Sequence, residues 1–427
     1  MKKILSIALV AALLVSSVFA VSFTGDATLS LGYDLDTKDY GFGNGTTTTL
    51  KFGFELGSGD GASAGEGDLR AEIAGTFKVE FKETKYTAKD DLKAATISTL
   101  KISKANILYK DFLTIGILSA GESADYAKSY YSINSDGDKL DVLPKFSGVP
   151  GFTYKVAAEK FAVSGGIGFN GNSEAKTYNV LAYAGLDDFA VADGVKFSVA
   201  AGTKITDEYK GVAANLKGSY ENDKFSASFG TDFLAYIGEE AIGLEAALAA
   251  KYDFVSLDVY YYTVDKFEKN NLDAKLAASY TLEGDVTVTV KGSFEGQDIL
   301  NQQADGAYYT AQEFVPALEA SCTIDAFTIG ANASYGIMGK EFSAGANVAY
   351  KHDMFTAKAA VNFATVFGTD NSSSIYASAS IESTKLINGA TVSLAYAPAK
   401  ESNKVVTNYL AKDTKLGKVT AAVKVAF

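Results

Sequence analysis

The sequence predicts an all-β transmembrane protein: one antiparallel β-barrel with an even number of strands, about 20 to 24. Three observations carry this. Apolar and polar residues alternate with period 2 along nearly the whole chain, and successive side chains of a strand point to opposite faces. Each apolar face persists for about 9 to 11 residues, the length of a tilted strand that crosses a bilayer. The chain ends KVTAAVKVAF, with Val419, Ala421, Val423, Val425 and Phe427 on one face and Lys418, Thr420 and Lys424 on the other.

Residues 1–20 have the features of a cleaved export signal. Lys2 and Lys3 precede a short apolar run from Ile4 to Val15, and Val18-Phe19-Ala20 supplies a cleavage site. The run is short for a helix that needs about 20 apolar residues to span a membrane. The next segment, 21–35, sets Val21, Phe23, Ala27, Leu29, Leu31, Tyr33 and Leu35 against Ser22, Thr24, Asp26, Thr28, Ser30 and Asp34. Leu69 to Phe81 repeats the pattern. Later strands are marked by Val195-Phe197-Val199, Phe225-Ala227-Phe229, Val255-Leu257-Val259-Tyr261, Val286-Val288-Val290 and Phe355 to Phe363. No segment shows a 3.6-residue period of helix length.

Composition agrees. Pro is scarce at 4 residues, as ladders require, since Pro cannot donate to one. Among the 27 Phe and 25 Tyr, pairs bracket short connections: Tyr109–Phe112, Tyr220–Phe225, Tyr252–Phe254 and Tyr350–Phe355 each enclose a short polar connection. Stacked around a barrel, these rings form an aromatic girdle at one membrane interface. The other connections, about 36–47, 83–95, 121–151, 204–211, 264–271, 295–314 and 364–374, are expected to be long loops of the opposite, extracellular end. The pattern gives about 23 strand segments, so 22 or 24 strands are expected, with 20 an alternative. The miscount is expected within 121–151, near Ala317, or around 383–412. With no linker or composition break, residues 21–427 form one barrel.

The net charge is −12, and loss of Lys2 and Lys3 with the signal takes it to −14. That excludes the basic surface a nucleic-acid partner needs. One cysteine, Cys322, and one histidine, His352, exclude an intrachain disulfide and a Cys/His zinc cluster. His352 falls in a polar turn, a solvated place for a base that catalysis would need in a cleft. Cys322 reads as a small apolar wall residue. Ser135–Asp141 (SDGDKLD) lacks the full EF-hand pattern and reads as a solvated acidic loop. Gly165, Gly166 and Gly168 lie in a strand and give no nucleotide signal. No catalytic residue, metal or cofactor is expected.

The expected function is a water-filled diffusion channel for small hydrophilic solutes and ions. Its candidate pore-lining residues are Lys196, Lys217, Asp232, Glu245, Lys251, Asp258, Lys275, Lys291 and Lys358, the charges on the polar faces of the strands. The 121–151 loop is the candidate constriction, with a surface loop as the alternative. Phe427 is the candidate assembly signal. Outer-membrane lipid and the outer-membrane assembly machinery are the expected partners.

Residues 22–35 (SFTGDATLSLGYDL), 65–73 (GEGDLRAEI), 102–118 (ISKANILYKDFLTIGIL) and the last strand resemble the major outer sheath proteins of spirochaetes, the treponemal porin-adhesin family. The similarity lies in the first third and the last strand; the middle matches in style. The resemblance implies an abundant outer-membrane channel, a homotrimer, and an alternative or coexisting role as an adhesin for host matrix proteins. It also allows a separate N-terminal region, about 21–190.

Overall fold

The computed structural model describes residues 20–426, apart from 43–46, 58–68, 83–94, 111, 128–142, 144, 238–240, 265–266, 268, 301–311, 369–370 and 402–403. Residues 1–19 of the expected export signal, Ser135–Asp141 and Phe427 therefore lie outside the described residues, while Ala20 opens the first strand.

The strands are β1 (Ala20–Asp34), β2 (Tyr40–Phe42), β3 (Thr47–Gly57), β4 (Leu69–Lys82), β5 (Ala95–Tyr109), β6 (Leu113–Gly116), β7 (Gly151–Ala157) and β8 (Ala162–Asn172). Then come β9 (Thr177–Ala192), β10 (Val195–Thr206), β11 (Lys210–Glu221), β12 (Phe225–Ile237), β13 (Ala241–Tyr252), β14 (Val255–Val264), β15 (Lys269–Leu282) and β16 (Val286–Gln297). The last are β17 (Glu313–Ile324), β18 (Phe327–Gly336), β19 (Glu341–Lys351), β20 (Thr356–Val366), β21 (Ser372–Ile387), β22 (Ala390–Ala397), the minor pair β23 (Lys400–Glu401) and β24 (Lys404–Val405), and β25 (Lys418–Ala426).

Each strand of the main sheet pairs antiparallel with its sequence neighbour. The sheet closes where β25 meets β1 over nine residue pairs, from Asp26–Ala426 to Asp34–Lys418. Closure follows from the solvent: in hydrocarbon an unpaired N–H or C=O has no water to turn to, so a spanning sheet must have no free edge. The sheet counts 23 elements, but β2 and β3 both pair the same edge of β1. Taken as one strand, they leave twenty-two around the ring. Region 121–150 adds no strand among its described residues, and the connection after β22 adds only the separate β23–β24 hairpin.

The register sorts the two faces. One outward row runs Phe229–Leu248–Val259, and the next Leu257–Leu276–Phe294. Others are Cys322–Ile329–Val348 and Ile381–Leu394–Ala421. Most of their large side chains are exposed on the protein's outside. Cys322 thus belongs to the outward apolar face, between Val288 and Ile329.

The hairpins at one end are tight. Asp193-Gly194, Asp253-Phe254, Asp325-Ala326 and Asn388-Gly389 each join two strands in two residues. Such turns need positive φ, which Gly194 (73°), Asp253 (52°), Asp325 (49°) and Gly389 (76°) supply. Aromatic rings surround this end: Tyr220 and Phe225 lie 6.0 Å apart, Phe254 and Tyr280 6.2 Å, Phe327 and Tyr350 4.5 Å. Eight residues further along β18 and β19 stand Tyr335 and Phe342, cross-strand partners. Eight residues cover about 27 Å of strand, or about 20 Å of membrane normal at a tilt near 40°, close to the height of a barrel's apolar band.

The far end is less open than the sequence predicts. Strands β10 and β11 run on until residues 207–209 close them, β14 runs to Val264 and β15 starts at Lys269, so 204–211 and 264–271 are not long loops. The connection 398–417 is long but fastened: the Asp36 carboxylate accepts the N–H groups of Leu416 (2.6 Å) and Gly417 (3.0 Å).

Leu248→Lys puts a charge at mid-height on the outward face and is expected to cost about 2–4 kcal/mol, whereas Ala249→Lys on the inner face is tolerated; urea unfolding in lipid vesicles compares them. The Leu416 and Gly417 amides hold the Asp36 carboxyl below its ordinary value of 3.8. A lowered folded-state pKa contributes stability above the ordinary value that is lost as pH falls through the lowered one. Protease sensitivity of the 398–417 connection should therefore stay low near neutrality and rise only in strong acid, while Asp36→Ala should be sensitive throughout.

Candidate functional site: the inner wall and its inserted segment

All nine sequence-predicted lining residues fall on the inner face. Cross-strand neighbours fix this: Lys196–Ser219, Ser198–Lys217, Asn215–Asp232, Asp232–Glu245, Asp258–Lys275, Lys275–Glu295, Lys291–Glu319 and Lys358–Ser380. Lys251 shares its face with Glu245, six residues away, and stands opposite Ser226. The structure does not gather them into one cluster. Asp258 stands on the ladder between Ala249 and Lys275, and the other eight take three different roles.

Lys275 and Lys291 are paired, to Glu295 at 2.9 Å and Glu319 at 3.5 Å. These glutamates escaped the sequence reading, although each shares strand parity with the inner face. Lys196, Lys217, Lys251 and Lys358 have no ion pair or hydrogen bond from their ammonium groups among the described residues.

Asp232 and Glu245 depart from the expectation. They are buried, 5% and 1% exposed, and line no open water. A segment of the chain lies over them. After Gly116 the chain keeps one more ladder bond, Ile117 N–H to Ala105 O (3.0 Å), then turns into the barrel at Gly121, whose φ is +75°. Residues 120–127 run out along the inner wall and 143–150 return beside them. The arms are tied by Ala120 N–H to Val149 O (2.9 Å), Ser123 N–H to Phe146 O (2.9 Å) and the Lys145–Asp125 ion pair (2.9 Å).

The wall holds this segment through carboxylates. Asp232 accepts the N–H groups of Tyr126 (2.7 Å) and Ala127 (2.5 Å) and the Asn215 amide (2.5 Å). The Asn215 amide also donates to Ala124 O at 3.0 Å. Glu245 accepts Leu143 N–H (3.0 Å) and the Tyr260 hydroxyl (2.7 Å). Tyr126 donates its hydroxyl to Asp187 (2.9 Å), and Lys204 donates to Ser147 O (3.0 Å). Buried carboxylates are tolerated when several N–H groups satisfy them. Ala120, Phe146, Val149, Leu181, Ala213 and Leu234 add a small apolar core between segment and wall.

Glycines make the bed. A Cβ at Gly166 would collide with Ala120 O, one at Gly230 with Tyr126 O, and one at Gly211 with the Phe146 ring. Glycine within a strand pattern marks a close backbone approach. That signal was present at Gly166 and Gly168, but the sequence could not say which chain approaches.

The remaining candidates are plain. His352 lies in the exposed 352–355 turn, stacked on Phe355 at 5.1 Å, its Nδ1 accepting Met354 N–H at 3.2 Å. Among the described residues no group of three or more His, Cys, Asp or Glu is placed to hold a metal ion.

The site is therefore the interior of a transmembrane-type β-barrel, narrowed on one side by an inserted segment. No protein-family model matches the chain, and no curated protein matches it. Solved barrels resemble it in fold. The P pilus usher (PapC) translocation pore aligns with TM-score 0.41 and 10% identity over 95% of this chain and 98% of that one. Pseudomonas aeruginosa OccK5 (OpdH) aligns at 0.40 and 8% over 95% and 98%, and the siderophore receptor PirA from Acinetobacter baumannii at 0.47 and 9% over 95% and 80%.

Asp232→Ala leaves the Tyr126 and Ala127 N–H groups without an acceptor. Each bond to a charged group contributes about 1.5–3 kcal/mol, so hydrogen exchange of residues 120–127 should accelerate by one to two orders of magnitude. Exchange in the β25–β1 seam should stay as it is.

Proposed function

We propose that this protein is an outer-membrane porin, a water-filled channel for small hydrophilic solutes and ions, constricted by the inserted segment whose described residues are 117–127, 143 and 145–150. The observation that carries the reading is the sidedness of one closed ring. Its outer face is an apolar belt with aromatic rings at its ends. Its inner face away from the segment is mostly polar or small, with Ser, Thr, Asn, Gly, Ala, Lys and Glu, and a chain segment is fastened across the other wall. A soluble protein does not present so continuous an apolar exterior, and a barrel whose inner wall is polar keeps water inside.

The segment covers the inner wall from β8 to β13, because its contacts run from Gly166 through Gly230 to Glu245. Solutes pass along the opposite wall, β16 to β22. Width there is set by short side chains: Gly330, Asn332, Gly345, Asn347, Ser378 and Ser380. This is also the function that the resemblance to the spirochaete major outer sheath proteins implies.

The test is single-channel recording in planar bilayers. The refolded protein should give discrete conductance steps. Replacing residues 122–147 by a short Gly-Ser link should enlarge them. An unchanged step size would place the segment outside the conducting path, and absence of any steps would refute the channel.

A further inference from the structure

The wall opposite the inserted segment carries a hollow of about 380 Å³. Two inner rows of side chains border it. One crosses four strands as Ala349–Lys358–Ser380–Ala395; the other crosses three as Asn347–Ala360–Ser378. The row between them, Val348–Ala359–Ala379–Tyr396, directs its side chains outward and contributes backbone to the floor.

The chemistry of this hollow is one-sided. Lys358 brings an exposed ammonium, Ser378 and Ser380 bring hydroxyls, and Asn347 brings an amide that rests over Gly330. Among the described residues no carboxylate borders it. Glu382, the nearest acid on that face of β21, stands beside Thr356 and Ser393 and makes no ion pair with Lys358. Lys275 and Lys291 show the contrast, since glutamates on neighbouring strands neutralise both. In a narrowed lumen with low-dielectric walls an uncompensated cation focuses field and concentrates anions. Hydroxyl and amide donors beside it add hydrogen bonds that a bare halide uses poorly and a hydroxylated anion uses fully.

We propose that the Lys358 hollow is a binding step for small hydroxylated carboxylates crossing the pore, the carboxylate on the Lys358 ammonium and the solute hydroxyls on Ser378, Ser380 and Asn347. This rests on the channel reading above. It names a solute class for that channel.

The probe is D-gluconate, with sorbitol as its uncharged counterpart, each added to the protein conducting potassium chloride in a planar bilayer. Gluconate is expected to reduce the wild-type current saturably and sorbitol not to. In Lys358→Gln the half-blocking gluconate concentration should rise about tenfold, the loss of one charge-assisted contact. Ser378→Ala/Ser380→Ala should weaken the gluconate block while leaving the chloride-to-potassium permeability ratio as it was. That separates a shaped site from a general positive potential. Lys224→Gln, in a short turn, is the control and should match the wild type. Each variant is checked for heat-modifiable migration, so a misfolded barrel is not scored. Equal gluconate block in wild type and Lys358→Gln, or equal block by sorbitol and gluconate, overturns the site while the channel stands. A wild type that carries no current overturns the channel and the site with it.

Discussion

Pairing of the backbone governs this molecule. In hydrocarbon every N–H and C=O must find a partner within the protein, and a twenty-two-strand ring meets that demand with one seam, β25 on β1. Much else follows from it. Strands must alternate, because one face meets lipid and the other water. Connections at one end must be short and of positive φ, which selects Asp, Asn and Gly at Asp193-Gly194, Asp253, Asp325 and Asn388-Gly389. Proline must be rare, and Pro316 on β17 stands as an exception within the ladder, opposite Phe294.

The inserted segment is where the ring gives way to another demand. Strand β6 holds only four residues, while β5 beside it has fifteen. The chain leaves the wall early so that it can fold inward. Its two stems keep contact with the wall they leave: Ile117 N–H still bonds Ala105 O, and Phe169 N–H takes Pro150 O on the return, each at 3.0 Å. Inside, the described residues of the segment form no strand or helix to satisfy their amides, so the wall supplies acceptors. Asp232 and Glu245, direct cross-strand neighbours, do this from β12 and β13. Like charges opposite each other in a sheet are unfavourable; here each carboxylate is occupied by N–H or O–H donors from the segment or the wall.

The sequence made the fold class legible because alternation is local. Val21 to Leu35 or Phe355 to Phe363 each declare a two-faced strand without reference to any other part of the chain. The aromatic brackets are local too, and the Tyr220–Phe225, Tyr252–Phe254 and Tyr350–Phe355 brackets each enclose a short connection, while the turns at Asp193-Gly194, Asp325-Ala326 and Asn388-Gly389 carry no such bracket and were not read from the sequence. Loop lengths were less legible. In 204–211 a run of Asp207, Glu208 and Tyr209 looks like a loop, yet only those three residues form the turn, since polar residues also suit a strand's wet face. The roles of the inner charges were hidden for a different reason. Lys275 and Lys358 look alike in their own strands. What separates them is the residue that register sets beside each, Glu295 in one case and Ser380 in the other, and register between strands is a property of the folded sheet.

The same distinction explains why Asp232 and Glu245 read as pore charges and are anchors. Alternation assigns a face; it does not say whether water or protein covers that face. The cover came from residues 120–127 and 143–150, more than eighty positions away from Asp232 in sequence. The sequence nevertheless carried a trace of it. Gly166, Gly211 and Gly230 interrupt strands on the inner face, where a side chain would be free to extend into water. Glycine alone does not distinguish the two walls, since Gly330 and Gly345 lie on the open one, where a Cβ would meet only Asn side chains. At Gly166, Gly211 and Gly230 a Cβ would meet the segment itself, and these three glycines mark its path across β8, β11 and β12. In a barrel, those glycines of the wet face whose missing Cβ makes room for backbone therefore bear on the shape of the lumen as directly as charges bear on its potential.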